Sequence, residues 1–482
     1  MRILMLASEA VPLAKTGGLA DVVGALPIEL ARLGHEVRLA LPRYAGIDPK
    51  AAGLRKTAIV QVPWRGESLE VGVETGSLGG GAVPLVCIRH DPFFARAGLY
   101  GEGGHDYPDN LDRFVLFCRA VMEACKEPGR LPDVLHAHDW QTALAVAYLK
   151  TLYRKDPVWA KTRALFTVHN VGYQGIFPVL AYDTTGLPWS EYTTERLEFW
   201  GQVNLLKGGL VYADLLNTVS PTYAREIQTE EFGHGLEGVL QTRKDRLFGV
   251  LNGIDAQAWD PATDRHLPAR YSADDLSGKK VCKLALQKEM KLPTREVPLV
   301  GLISRLAFQK GIDLIVDILP KLLELDVQMV ALGSGEPQYH TYLTSLRERY
   351  PSKLAVSLGF DDGLAHRIEA GADLMLVPSR YEPCGLTQLY SLRYGAVPIV
   401  RKTGGLADTV VSYRPDSRSS ATGFSFDKPD PEVLLSMILL ALEVYRDKEE
   451  WIALMTRGMK QDFSWRRSAK QYVELYERAL AI

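Results

Sequence analysis

The stretch SRLAFQKG, residues 304–311, sets Arg305 and Lys310 just beyond an apolar run and at the start of an amphipathic one. A guanidinium fork grips a pyrophosphate in fixed geometry, and a flexible ammonium meets it as a point charge. Further on, PSRYEPCGLTQL (378–389) places Glu382 in a loop before a helix start at Gly385, Leu386 and Thr387. Backbone N–H groups at such a start hold phosphate oxygens, and a carboxylate one turn earlier accepts hydrogen bonds from sugar hydroxyls. The plainer readings stay open: two solvated surface cations, and a surface carboxylate in a turn. Cys384 has no Cys/His signature around it and reads as a small buried residue.

The heptad Lys-Thr-Gly-Gly-Leu-Ala-Asp occurs twice, at residues 15–21 and 402–408. Either it is a capping device used twice, or two similar half-molecules each present it to a common site. Each copy follows an apolar run by a short loop and opens a helix, where N–H groups and the helix dipole favour an anion. A Gly-Gly pair there also serves close strand–helix packing, and for the second copy the two readings stand level. Lys15 beside Gly17 and Gly18 adds a cation to the first copy and turns it toward phosphate.

LHAHDW (135–140) and TVHNVGYQG (167–175) close two further apolar runs. His136 and His138 are read as pointing to opposite sides of their strand, which argues against a shared metal, and no zinc-type spacing surrounds them. His169 and Asn170, followed by glycines and Tyr173, form a candidate hydroxyl-reading loop. A GxSxG elbow, a Walker A loop and an HExxH motif are all missing from the sequence.

These loops need a scaffold, and the rest of the sequence describes one. A chain of 482 residues exceeds one ordinary core, so two or three domains are expected. A content of 46% hydrophobic and 24% charged residues fits a globular protein. With 56 Lys+Arg against 58 Asp+Glu, no sequence-wide field points to nucleic acid or a membrane surface. Five scattered cysteines without a CxxC pair favour a reducing compartment. The apolar start MRILMLASEA is interrupted by Glu9 and reads as a buried strand rather than a signal peptide. No segment is long and apolar enough to span a bilayer, so a cytoplasmic location is expected.

Short apolar runs alternate with longer amphipathic stretches in both halves, the pattern of βαβ units. RILMLA, EVRLALP, DVLHAH, ALFTVH and DLLNTVS are the strands expected first; PLVGLIS, QMVALG, KLAVSLG, DLMLVPS and AVPIVR follow. The turn-rich stretch 249–261 marks a junction, giving domains over 1–248 and 249–460 and a terminal helix over 461–482. The fold class is α/β, with two doubly wound halves that bind ligands at the carboxyl ends of their strands. Facing halves would bring those ends to one cleft.

Taken in order, KTGGLADV, HAHDW, TVHN, LKGGL, TVSPTYAREI, LNGID, SRLAFQKG, SRYEPCGLTQL and KTGGLADTV resemble the motifs of bacterial glycogen synthases and plant starch synthases over nearly the whole chain. The resemblance implies a GT-B fold: two Rossmann-like domains across a deep cleft, with a C-terminal helix crossing back to the first. It implies transfer of glucose, with retention, from ADP-glucose to the non-reducing 4-OH of glycogen or another α-1,4-glucan. Arg305 and Lys310 would neutralise the diphosphate without a metal or other cofactor. Lys15, with Gly17 and Gly18, would contact the donor, as would the loop Cys384, Gly385, Leu386 and Thr387. Glu382 would hold the donor sugar and His169 would lie against the glucose. Asp139, Asn170 and Asn252 match positions near sugar and acceptor, and Tyr100 stands in a loop, LYGEGG, whose length varies in the family. Tyr381 replaces the family's usual phenylalanine. A phosphorylase-like enzyme would need a pyridoxal phosphate lysine, for which no motif is present. A non-catalytic glucan-binding protein would have lost its donor-site charges, yet Lys15, Arg305, Lys310 and Glu382 are all in place.

Overall fold

A computed structural model describes residues 1–126 and 131–482 of the chain. They group into two units: Met1–Val219, Ala224–Gly253 and Trp465–Ile482 form the first, Ser220–Tyr223 and Ile254–Ser464 the second. The sequence boundaries at 248 and 460 fall a few residues before these crossings.

The first unit is built on nine strands: β1 (Arg2–Leu6), β2 (Glu36–Pro42), β3 (Arg55–Trp64), β4 (Glu67–Leu78), β5 (Val83–Arg89), β6 (Val134–His138), β7 (Arg163–Val168), β8 (Leu215–Thr218) and β9 (Leu247–Gly249). Their spatial order is β9-β8-β7-β6-β1-β2-β5-β4-β3. The strands from β9 to β5 run parallel, and their near-continuous apolar character follows from burial on both faces. The antiparallel β3–β4 hairpin was not expected from the sequence. Most of β3 faces solvent and so lacks an apolar run, while Arg65 and Gly66 turn it with φ of 48° and 84°, the primed geometry of a two-residue hairpin.

Helix α1 (Gly18–Arg32) packs with the last helix of the chain, here α6 (Trp465–Leu480). From α6, Tyr476 hydrogen-bonds His136 at 2.8 Å and Tyr472 accepts from Asn217 at 2.9 Å, while Ala469, Leu475 and Ala479 join Val22, Leu26 and Leu39 in one apolar core.

The second unit holds six parallel strands: β10 (Leu299–Ile303), β11 (Gln328–Gly333), β12 (Leu354–Leu358), β13 (Leu374–Val377), β14 (Val397–Arg401) and β15 (Phe424–Phe426). Their order is β12-β11-β10-β13-β14-β15. Helix α2 (Ile312–Glu324) buries Ile312, Ile315, Ile318, Leu319, Leu322 and Leu323, a stripe at helical spacing that covers one sheet face. Among the described residues, no helix is long and apolar enough to cross a membrane.

In each sheet the first strand lies between strands that come later on both sides. The order reverses between β1 and β6 in the first unit and between β10 and β13 in the second. Open parallel sheets bind ligands at the carboxyl ends of such strand pairs. Lys15 and Asp139 follow β1 and β6, Arg305, Lys310 and Glu382 follow β10 and β13, and His169 and Asn170 follow the neighbouring β7.

Candidate functional site

In the second unit the segment after β10 carries Arg305 and Lys310, and the segment after β13 carries Glu382. Lys310 Nζ donates to Glu382 Oε2 at 2.6 Å, and Ser379 Oγ donates to the same oxygen at 2.9 Å. A carboxylate taken out of water needs a cation and further donors, and this buried glutamate has both. An ammonium has three N–H donors, so Lys310 keeps two for another acceptor. Arg305 is exposed and bonds elsewhere, its Nη2 donating to Gln309 Oε1 at 2.9 Å. Lys310, Glu382, Gly385, Leu386 and Thr387 line one cavity of about 40 Å³ at these strand ends.

Cys384 is buried, as expected of a small packing residue. The Gln388 side chain ties the loop back by donating to the carbonyls of Cys384 and Gly385 at 3.0 and 3.1 Å. With those carbonyls turned inward, the amides of Gly385, Leu386 and Thr387 find no protein acceptor among the described residues and stand at the start of α4 (Thr387–Tyr394). They are the kind of donor an oxyanion requires.

The second heptad buttresses this loop. It opens α5 (Gly404–Thr409), and a Cβ on Gly404 would lie 1.9 Å from the Glu382 carbonyl oxygen. On Gly405 it would lie 2.1 Å from the Cys384 carbonyl oxygen, and the Gly405 N–H donates to Pro383 O at 3.1 Å. Asp408 accepts from the Thr222 N–H at 2.9 Å and its hydroxyl at 2.6 Å, while Lys402 is exposed. For this copy, close packing accounts for the glycines.

The first heptad has the opposite surroundings. Lys15, Thr16, Gly17 and Gly18 are all exposed, and a Cβ at either glycine would meet no atom within 4 Å. The anion expected at its helix start belongs to the chain itself. Glu9 Oε2 accepts from the amides of Thr16 and Gly17 at 2.5 and 3.2 Å, and Oε1 accepts from the Thr16 and Tyr100 hydroxyls, both at 2.6 Å. A phosphate therefore cannot use those two amides while Glu9 holds them. Lys15 Nζ reaches Asp21 at 2.7 Å.

The reading of the histidines needs correction. Residues two apart in a strand share a face, and the rings of His136 and His138 lie 4.1 Å apart, centroid to centroid. His138 Nδ1 then meets His169 Nε2 at 2.9 Å, while His136 Nε2 meets Thr167 Oγ1 at 2.7 Å. Burial lowers His136 and His169 to about 3 and His138 well below its ordinary value, so the cluster is neutral near pH 7. Asp139 holds the backbone of this cluster: its Oδ1 accepts the His169 N–H at 2.7 Å. Burial pushes its carboxyl up to about 7, opposed by that hydrogen bond. Its φ of 58° with ψ of −178° belongs to glycine's territory and costs ~1–3 kcal/mol, the sort of strain that collects at functional sites.

Asn170 turns the following loop by accepting the Gly172 N–H at 2.9 Å. Asn252 is buried, and its Oδ1 has no partner among the described residues; the same holds for His138 Nε2. Buried polar atoms of this kind mark places where a ligand's groups complete the hydrogen bonding.

The structure thus joins Lys310, Glu382 and the Gly385–Thr387 amides in one unit, and Asp139 and His169 in the other, with Tyr100 tied to the first heptad through Glu9. Sequence reasoning missed Glu9, Ser379, Gln388 and the pairing of His138 with His169. Glu9 did leave a signal, a lone carboxylate at the end of an apolar strand.

Comparison with known proteins finds the same order of parts. Residues 2–242 match the family described as starch synthase catalytic domain, and residues 287–453 match glycosyl transferases group 1. Glycogen synthase of Anaeromyxobacter dehalogenans (strain 2CP-C) is 49% identical over 483 residues, covering 100% of both chains. Glycogen synthase 2 of Geobacter sulfurreducens is 47% identical, covering 99% of each. The catalytic domain of starch synthase IV from Arabidopsis thaliana, solved bound to ADP and acarbose, superposes with a TM-score of 0.91 at 36% identity, covering 100% of this chain and 99% of that one. A sucrose-phosphate synthase from Thermosynechococcus elongatus, 18% identical with a TM-score of 0.61, shares the fold.

Proposed function

Since the chain belongs to the glycogen and starch synthase family of GT-B glycosyltransferases, we propose that it transfers glucose from ADP-glucose to the non-reducing 4-OH of an α-1,4-glucan, with retention at the anomeric carbon. The observation that carries the site assignment is the Lys310–Glu382 pair beside the unpaired amides of Gly385–Thr387, where the strand order of the second unit reverses.

In this reading the anomeric C–O bond breaks first, and the nucleoside diphosphate leaves with the electron pair. Negative charge grows on the departing phosphate, where Lys310 and the loop amides stand ready to stabilise it, and Arg305 joins them by exchanging Gln309 for the phosphate. Glu382, held by Lys310 and Ser379, accepts hydrogen bonds from the donor glucose. The acceptor 4-OH attacks from the face the phosphate leaves, and the phosphate oxygen takes its proton. His169 is neutral and already bonded to His138, so it positions the sugar rather than protonating it. Asp139 fixes His169, Asn170 shapes the loop beside it, and Tyr100 and Asn252 serve the acceptor. Lys15 and the open surface at Gly17 and Gly18 contact the donor from the first heptad. ADP as the nucleotide is supported by the ADP-bound Arabidopsis relative.

Initial rates with glycogen primer test the donor. ADP-glucose is expected to give a much higher kcat/KM than UDP-glucose, and an equal or reversed preference would remove the ADP assignment.

A further inference from the structure

We propose that His266, Asp362 and His366, all in the second unit, form a binding site for a borderline divalent cation of the zinc class. Each residue offers one ligand atom, and these atoms lie within 4.8 Å of one another. Tetrahedral ligands at ~2.0–2.2 Å from a zinc stand roughly 3.4 Å apart, so small rotations of the partly exposed His266 and Asp362 bring the set to bonding distance.

His366 is 3% exposed, and its Nδ1 lies 2.6 Å from Asp264 Oδ2, which leaves Nε2 for a ligand bond. The same Asp264 accepts the His266 backbone N–H through Oδ1 at 2.8 Å, and Tyr394 OH donates to Oδ2 at 2.6 Å. One carboxylate thus places both histidines, the arrangement by which outer groups orient metal-bound imidazoles. Asp362 and His366 sit four apart on α3 (Asp362–Gly371), so they share a helix face. Asp361 caps that helix by accepting the Leu364 N–H at 2.8 Å, which frees Asp362 from the task.

No hydrogen bond reaches His366 Nε2, the His266 ring or the Asp362 carboxylate among the described residues. The His366 ring is fixed by stacking on Trp259, centroids 3.7 Å apart, so its remaining nitrogen is held in place toward the other two ligands. Two imidazoles and one carboxylate suit zinc, nickel or copper rather than magnesium or calcium, and water completes the tetrahedron. The bound ion would clamp the start of α3 to the segment Asp264–His266.

The test needs no glucan. Untagged, chelator-stripped full-length protein is dialysed against zinc chloride at micromolar concentration, and bound metal is counted by atomic absorption. One zinc per chain is expected. His266→Ala and Asp362→Ala, both at accessible side chains that leave the core intact, should each weaken binding by more than ~100-fold, and Asp264→Asn by ~10–100-fold. Cobalt in place of zinc should give the absorption bands of a tetrahedral site in the wild type and lose them in His266→Ala. Failure of the wild type to bind zinc, or unchanged affinity in His266→Ala with near-UV circular dichroism intact, would overturn the proposal.

Discussion

The two copies of the Lys-Thr-Gly-Gly-Leu-Ala-Asp heptad have one sequence and two environments. In the first copy the glycines face open space and the lysine lies on the surface beside Asp21. In the second the same glycines are buried against the backbone of Glu382 and Cys384, where no side chain fits. Small residues before a helix permit either use, and the neighbouring chain decides which. For the second copy the neighbour is the loop that carries Glu382; for the first it is the lone carboxylate of Glu9.

The comparison can be broken at several points. The largest effect is expected at the charges beside the loop that the second copy supports. Lys310→Ala and Arg305→Ala should each lower kcat by ~10²–10³, the usual cost of losing one preorganised donor to a developing charge. Glu382→Ala should fall in kcat as well, through loss of sugar positioning. Unchanged kcat in both cation variants would separate the buttressed loop from the chemistry.

Next come the glycines themselves. Gly405→Ala forces a methyl group to within 2.1 Å of a carbonyl oxygen and should destabilise the second unit by ~1–3 kcal/mol, read as a lower Tm. Gly18→Ala, with open space ahead of it, should leave Tm unchanged. Equal melting of the two variants would erase the distinction between the copies.

Acid should separate the units that house them. His136, His138 and His169 in the first unit are neutral when folded and take up protons when unfolded below about 6.5. For His136 and His169 the contribution is complete above that pH and is lost as pH falls toward about 3, at ~1.4 kcal/mol per pH unit for each, and His138 acts in the same direction. Asp139, raised to about 7, runs the other way and offsets one of the three. In the second unit Glu369 is raised to about 8 by burial, so its contribution grows as pH drops from 8 to 4.5. Hydrogen exchange at pH 5 against pH 7 should therefore loosen β6 and β7 while sparing the helix that carries Glu369. His136→Asn should make the acid response less steep.

The smallest effect is expected at the two lysines. Both are exposed, so neither substitution should move Tm, but Lys15→Ala should lower kcat/KM more than Lys402→Ala. Equal losses in folded proteins would return the second copy to the donor.

What could be read beforehand followed from local pattern. ILML and LVGLI are continuous apolar runs and lie in the central strands β1 and β10. The β3–β4 hairpin was illegible because its outer strand faces water and follows no apolar period. Arg305, Lys310 and Glu382 were legible as chemistry at strand ends, whereas the bond between Lys310 and Glu382 joins residues 72 apart and leaves no local trace. The histidine pair was misread through its period, since alternation sends neighbouring residues, not residues two apart, to opposite faces. Glu9 and Tyr100 meet across 91 residues, and His266, Asp362 and His366 only through the fold.

The route of the chain has a further consequence, for the protein as it is made. Helix α6 belongs to the first unit but is translated after the whole of the second. His136 and Asn217 meet their tyrosine partners across 340 and 255 residues. At ribosomal rates of ~5–20 residues per second, the stretch between the units' crossings takes roughly 10–40 s to synthesise. During that time the seat of α6 stays bare in the nascent first unit, with apolar surface from Val22 and Leu26 open to other chains. The second unit is nearly contiguous and can close its sheet meanwhile. Folding then finishes where synthesis began, and the first unit is the part that needs protection on the ribosome.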